Sequence, residues 1–307
     1  MSIKVLLAVV GPTAIGKTAL GIQLANHFDT EVLSADSRQF FKEMEIGTAV
    51  PSKEELKAAP HHFIQHKSIF EPYSVGDFEK EAISLLDDVF QKKDTAIMVG
   101  GSGLYVDAVV SGLDEFPEVD PMIRKQLNQQ LEEEGLESLQ KELKQRDPEY
   151  YKTVDLDNPH RLIRALEVCI AAHKPYSSFL NQPKTERNFK TLYIGIEAPR
   201  EMIYERINAR VDLMMDAGLL DEAEKLYPHK ELNALQTVGY KELFEYIEGQ
   251  CTLEAAVSEI KKNTRRFAKR QLTWLRKNEA ILWVPYNAEP KKVLQMVKDR
   301  LKTNLYA

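Results

Sequence analysis

A chain of 307 residues, 43% hydrophobic and 29% charged, is long enough to bury a sizeable core and falls in the ordinary globular range, which excludes a disordered or fibrous protein. No stretch nears the roughly 18 uninterrupted apolar residues of a membrane span, so no membrane partner is expected, and two isolated cysteines, Cys169 and Cys251, read as small buried apolar residues rather than a disulfide or zinc framework. The formal net charge of −6 speaks against nucleic acid on average, yet residues 261–277, KKNTRRFAKRQLTWLRK, carry eight Lys or Arg and no acid.

The first part of the chain alternates strand and helix, the pattern of a parallel sheet. The apolar run 4–10 predicts a strand, 18–28 a helix, and 31–36 a second strand that ends on Asp36-Ser37-Arg38-Gln39. A loop-rich passage with Pro51 and Pro60 follows, and within it HHFIQH (61–66) reads as a loop rather than a metal site, because it lacks helical spacing. A helix over 77–92 and a strand over 95–101 come next, the strand closing on a glycine pair with Ser102 just beyond. From 116 the character changes to Glu, Gln, Lys and Leu, and Asp120-Pro121 and Asn158-Pro159 each set a capping residue before a proline, the signature of a helix start. Strand signals return at 191–198 and 280–285, with helices expected at 199–215, 217–227, 237–248 and 252–277. The last has Thr252 as its cap and Leu253, Val257, Ile260, Phe267 and Trp274 on one apolar stripe, with most cations off it. The expected fold is α/β: a P-loop NTPase-like parallel sheet flanked by helices, formed by 1–115 and 190–307, with an all-helical insertion domain at 116–189. An N-terminus that runs directly into this sheet, without a small-residue cleavage site, predicts a cytoplasmic protein.

The sharpest motif is GPTAIGKT, residues 11–18, which matches G-x-x-x-x-G-K-[ST] between a strand and a helix. Gly11, Pro12, Thr13, Ala14, Ile15 and Gly16 would form a loop whose amides converge on phosphate oxygens. Lys17 supplies a point charge, and the Thr18 hydroxyl would ligate Mg²⁺. The carboxyl ends of parallel strands face one crevice, so the loop, Asp36 and Ser102 should converge on one ligand; a turn or cap residue is the lesser alternative for Asp36 taken alone. Arg161 and Arg164 sit three apart near a predicted helix start, where cations oppose the helix dipole; either an external anion or a solvated or salt-bridged face accounts for them. Arg206 and Arg210 share a helix side four residues apart. The 261–277 segment, with Arg266, Lys269 and Arg270, suits phosphate-backbone contact.

Taken in order, GPTAIGKTAL, SADSRQFFKEMEIGTA, APHHF, YSVGDF, VGGSGLYVDAVVSGL, NPHRLIRALEV, RVDLMMDAGLLDE, LQTVGYKEL and TRRFAKRQLTWLRK resemble the bacterial tRNA dimethylallyltransferase (tRNA isopentenyltransferase) family from about residue 5 to 285. The resemblance implies transfer of a dimethylallyl group from dimethylallyl diphosphate to N6 of the adenosine 3′-adjacent to the anticodon, with Mg²⁺, and a helical insertion that grips the tRNA anticodon stem-loop. It further implies that Asp36 is the general base, that Ser37 and Gln39 recognise the target base beside Arg38, that Ser102 stands by the transferred group, and that Lys17 and Arg210 hold the diphosphate. Arg124, His160, Arg161, Leu162, Ile163 and Arg164, with Gln236, Gly239, Tyr240 and Lys241, would be tRNA-contacting segments of a monomeric enzyme. Three positions depart from the family pattern: Ser102 stands where Thr is usual, Phe41 where Tyr is, and Val50 where Lys is.

Three other readings share parts of this evidence. A small-molecule P-loop kinase needs neither the basic helix nor the long insertion. An adenylate isopentenyltransferase acting on free nucleotides would not need an insertion that grips tRNA. A nonenzymatic RNA-binding protein would have no use for intact Lys17, Thr18 and Asp36.

Overall fold

The computed structural model describes residues 3–183 and 186–305, which form two compact units, Met1–Ser111 with Arg187–Ala307, and Gly112–Glu186. The sequence reading set the breaks at 115/116 and 189/190; helix Gly103–Ser111 carries the first unit no further than Ser111.

The larger unit is built on six parallel strands, β1 Val5–Val10, β2 Val32–Ser34, β3 His61–His62, β4 Thr95–Gly100, β5 Lys190–Glu197 and β6 Leu282–Pro285, in the order β3-β2-β4-β1-β5-β6. β1 lies inside the sheet and is buried at every position. Its alternation divides the interior: Leu6, Ala8 and Val10 point into one core, and Val5, Leu7 and Val9 into the other. Helices α1 Lys17–Phe28, α2 Lys53–Ala58, α3 Val75–Lys92 and α4 Gly103–Ser111 precede the smaller unit. α3 and α4 supply Phe78, Leu86, Val106 and Val109 to the first core, and α1 supplies Leu20 and Leu24 to the second. α3 opens on a capping box in which Ser74 and Asp77 satisfy each other's amides.

The smaller unit holds α5 Pro121–Glu134, α6 Leu136–Arg146, α7 Pro148–Tyr151 and α8 Pro159–Ala172 around a core of Leu127, Leu139, Leu143, Leu162, Ile163 and Leu166. Asp120 and Asn158 cap α5 and α8 by accepting from Met122 N and Arg161 N, with proline in the first turn of each. The larger unit resumes with α9 Arg200–Asp216, α10 Leu219–Leu226, α11 Tyr240–Ile247, α12 Leu253–Leu275 and α13 Pro290–Leu305.

Several expectations need correction. His61 and His62 are not loop residues but pair with β2 as a two-residue strand, and His62 Nε2 lies 2.6 Å from Glu31 Oε2. α2, α4 and α13 were not foreseen. On α12 the fully buried positions are Ala256, Ile260, Ala268, Gln271 and Leu275, while Phe267, expected on the packing stripe, is 38% exposed. Cys169 is buried and Cys251 half-buried. Among the described residues, no helix is long and apolar enough to cross a membrane.

Register fixes where the chemistry sits. Val10 pairs with Gly100 and Gly195, and Ser34 with Val99, so these strands end level. The glycine loop after β1, Asp36 after β2 and Ser102 after β4 therefore leave the sheet at one edge.

Candidate functional site

At that edge lies a cavity of about 830 Å³, lined within the larger unit by loop residues 13–18, by Asp36, Arg38 and Gln39, and by Arg206 and Arg210 of α9. Gly11 and Pro12 lie buried beneath the loop, and the Ile15 side chain points into the core, so these three contribute backbone only. Gly16 adopts a left-handed φ of 107° as it turns the chain into α1, whose open N-terminus faces the loop.

Lys17 Nζ donates to the Pro12 carbonyl at 2.8 Å. Burial, reinforced by the Arg210 charge and opposed by Asp36, brings its pKa down to about 8. Burial also lowers the Arg38 and Arg210 guanidinium pKa values, and Asp36 acts against that shift in both. Asp36 is thus the carboxylate whose field all three cations feel. Its Oδ1 accepts from Arg38 N at 3.2 Å, which fixes the side chain at the strand end. Arg38 in turn donates to Ala234 O at 3.2 Å.

Ser102 does not line the cavity; it bridges to the tip of β2, with its Oγ 3.3 Å from Ser37 Oγ and accepting from Ser37 N at 3.4 Å. The Gln39 carboxamide is committed internally, Nε2 donating to Ala49 O at 2.9 Å and Oε1 accepting from Ser34 Oγ at 3.2 Å. Gln39 thereby pins the wall formed by residues 48–51 while itself lining the cavity. Phe41 is buried in the core, which accounts for a ring without a hydroxyl there, while Val50 lines the cavity.

Gln236, Gly239 and Lys241 border the cavity, as do Phe267 and Arg270 of α12. Tyr240 is fully buried and donates to Glu222 Oε1 at 2.7 Å, so its side chain is not a surface contact. The basic run of α12 is less free than its composition suggests: Lys261 pairs with Asp212 at 2.5 Å, Lys262 with Glu259 at 2.8 Å, and Arg265 donates to Asn208 at 2.7 Å. Arg266, Lys269 and Arg270 remain exposed.

In the smaller unit, His160 and Arg161 are exposed. Leu162 and Ile163 are buried in that unit's core because the apolar face of α8 packs inward, so their side chains are withdrawn from any partner. Arg124 and Arg164 both engage Glu167, which is 3% exposed: Arg124 Nε and Nη2 at 2.7 and 2.9 Å, Arg164 Nη1 at 2.5 Å. An internal carboxylate thus engages both arginines, the salt-bridged alternative for Arg164.

Three residues that carry the site's geometry were not picked out as contributors. Glu222 on α10 receives the backbone amides of Glu45, Ile46 and Gly47 as well as the Tyr240 hydroxyl, anchoring the segment before the cavity wall. Gly47 packs so closely on the Tyr240 ring that a Cβ there would lie 2.6 Å from it. Gln271 on α12 joins Thr13 N to Gly101 O, and Arg206 Nε donates to Ala14 O. The only sequence signal for Gln271 is an uncharged polar residue on the buried face of a helix.

A strand, a glycine loop capped by Lys17 and Thr18, and a carboxylate at the end of β2, one strand further across the sheet, define a P-loop protein built to hold a phosphorylated substrate beside an acid–base group. Residues 39–278 match the family described as IPP transferase. The chain is 63% identical over 298 residues to the tRNA dimethylallyltransferase of Christiangramia forsetii, covering 97% of this chain and 99% of that one. It also resembles the crystal structure of the full-length tRNA isopentenylpyrophosphate transferase of Bacillus halodurans, with a TM-score of 0.73 and 35% identity over 99% of this chain and 97% of that one. A eukaryotic dimethylallyltransferase captured acting on tRNA gives a TM-score of 0.81 at 25% identity, covering 98% of this chain and 80% of that one. The chain belongs to the IPP transferase family.

Proposed function

We propose that this protein transfers a dimethylallyl group from dimethylallyl diphosphate to N6 of the adenosine 3′-adjacent to the anticodon in tRNA, releasing diphosphate. The observation that carries the reading is Asp36 standing among Lys17, Arg38 and Arg210 in a cavity walled by the phosphate loop. Kinship with proteins named tRNA dimethylallyltransferase favours prenyl transfer to tRNA over a kinase or a free-nucleotide prenyltransferase.

An adenine amino group is a weak nucleophile, because its lone pair is delocalised into the ring. Asp36 takes the N6 proton as the new C–N bond forms at the allylic carbon. The allylic C–O bond breaks with its electron pair on the diphosphate, and the charge gathered there meets Lys17, Arg210, the loop amides and the N-terminus of α1. Ser102, paired with Ser37, ties the end of β4 to the end of its neighbour β2, from which Asp36 projects. Thr18 is the residue that would hold Mg²⁺. Among the described residues no cluster of three or more His, Cys, Asp or Glu could cage a metal ion, a donor set that fits Mg²⁺ held chiefly by substrate oxygens and water. When bound, the ion supplies further neutralisation of the departing diphosphate.

The target base leaves its stack to reach Asp36. Arg266, Lys269, Arg270, Gln236, Gly239 and Lys241 in the larger unit, and His160 and Arg161 in the smaller, take the anticodon stem-loop. A tRNA acceptor calls for a cytoplasmic enzyme, here proposed to act as a monomer.

The test supplies labelled dimethylallyl diphosphate and Mg²⁺ with unmodified tRNA, AMP or ATP as parallel acceptors. Label in tRNA alone supports the reading; label in AMP, or phosphoryl transfer from ATP, overturns it.

A further inference from the structure

The phosphate loop is held in a conformation that it does not secure alone. Ala14 has a φ of 64°, a left-handed backbone that a non-glycine residue keeps only where its surroundings enforce it. Two side chains from distant elements provide that enforcement. Arg206 Nε donates to Ala14 O at 2.7 Å, and Gln271 Oε1 accepts from Thr13 N at 2.9 Å.

The second contact bears on a single peptide plane. The Pro12–Thr13 peptide has its N–H on Gln271 and its carbonyl on Lys17 Nζ, the latter at 2.8 Å. Because the peptide is planar, fixing the N–H also fixes where the carbonyl points. Gln271 is itself immobilised: it is 7% exposed, and its Nε2 donates to Gly101 O at 2.9 Å. The glycine pair admits this side chain, since a Cβ on Gly101 would stand 2.3 Å from Gln271 Nε2.

We infer that Gln271 is a positioning residue for the diphosphate site, which orients the Pro12–Thr13 peptide and through its carbonyl aims the Lys17 ammonium. The Thr13 N–H is then committed to Gln271, leaving the phosphate to the later loop amides and Lys17. The inference rests on the prenyl-transfer reading only for the identity of the donor; the role in shaping the loop does not depend on it.

The experiment compares the full-length protein with Gln271→Met, which keeps the length but loses both hydrogen bonds, and Gln271→Glu, which keeps an acceptor for Thr13 N–H. Calorimetry with inorganic diphosphate and Mg²⁺ reads the donor site, anisotropy with labelled tRNA reads the acceptor site, and steady-state kinetics supply both KM values. Gln271→Met is expected to weaken diphosphate binding and raise the donor KM by roughly tenfold or more, with tRNA affinity changed by less than about twofold. Gln271→Glu keeps the acceptor for Thr13 N–H but sets a carboxylate oxygen against Gly101 O and adds negative charge beside the diphosphate, so it is expected to recover only part of the affinity. Should the Met variant fail to fold, Gln271→Asn, which withdraws the carboxamide by one methylene, carries the same expectation. The inference is overturned by diphosphate affinity within about twofold of the parent in the Met variant, or by equal loss of diphosphate and tRNA binding. A parent protein that binds diphosphate but prenylates no tRNA would defeat the functional reading and leave this test intact.

Discussion

Replacing Glu222 with glutamine preserves the side chain's size and asks how far the segment before the cavity wall depends on a carboxylate. Oε2 accepts from Glu45 N at 3.0 Å and Ile46 N at 2.8 Å, while Oε1 accepts from Gly47 N at 2.9 Å and the Tyr240 hydroxyl at 2.7 Å. A carboxamide has one acceptor oxygen, so its NH₂ must face one of these two pairs. Facing Glu45 and Ile46, it sets two backbone donors against a donor. Facing Gly47 and Tyr240 is cheaper, because the hydroxyl can turn and accept, yet Gly47 N–H still loses its partner. One charge-assisted hydrogen bond lost and one donor stranded correspond to about 1.5–3 kcal/mol. If that cost falls on local opening, amide exchange at Ile46 and Gly47 accelerates by roughly 10- to 150-fold. Native-state hydrogen exchange on a peptide spanning 45–50 measures it, and turnover on tRNA should fall as well, since residues 48–51 form part of the cavity wall. Exchange at those amides within about twofold of the parent would refute the anchoring role.

Asp36→Asn should lower turnover by roughly 10²-fold or more and leave tRNA affinity nearly unchanged; equal losses in both would make Asp36 a binding group instead. The Lys17 pKa of about 8 gives a pH dependence: affinity for dimethylallyl diphosphate, already fully ionised, should decline as pH rises through that value and the ammonium discharges. The sign for stability is opposite. Lys17 is lowered from 10.5 to about 8, so between those values the unfolded chain binds more protons and this group's contribution to stability grows with pH. Calorimetric titrations from pH 7 to 9.5 check the first, and a flat affinity profile would contradict it. Arg161→Ala should weaken tRNA binding and reduce its salt slope by roughly one unit. Arg124→Ala, by contrast, breaks a bidentate pair with buried Glu167 and should lower the stability of the insertion by about 1.5–3 kcal/mol, seen in chemical denaturation.

Where periodicity and punctuation agreed, the sequence was legible. The β1 run, the GPTAIGKT turn and the capped starts of α5 and α8 could be read because each rests on local chemistry: a buried apolar run, a loop that needs glycine, a side-chain cap before proline. α4 and α13 were not, for opposite reasons. Gly103–Ser111 is apolar almost throughout, so it shows no helical period against the strand before it, and α13 opens on Glu289-Pro290 without the Asp or Asn cap that marks α5 and α8. At the site, Lys17 and Asp36 could be named because motif and topology send them to one edge, whereas Arg210 was named through the family resemblance. Charge could not choose at Arg164 between an external anion and a salt bridge, and its partner Glu167, which also holds Arg124, lies on the buried face of the same helix. Glu222 and Gln271 act through contacts with residues more than a hundred positions away, which no local pattern encodes.

The most direct test of the central claim locates the prenyl group. Unmodified tRNA whose anticodon is followed by adenosines is reacted with dimethylallyl diphosphate and Mg²⁺, then digested and analysed by mass spectrometry. The account predicts a five-carbon addition on N6 of the adenosine next to the anticodon, absent with the Asp36→Asn variant at matched times. An unmodified tRNA, or a prenyl group at another position or on another base, would contradict it.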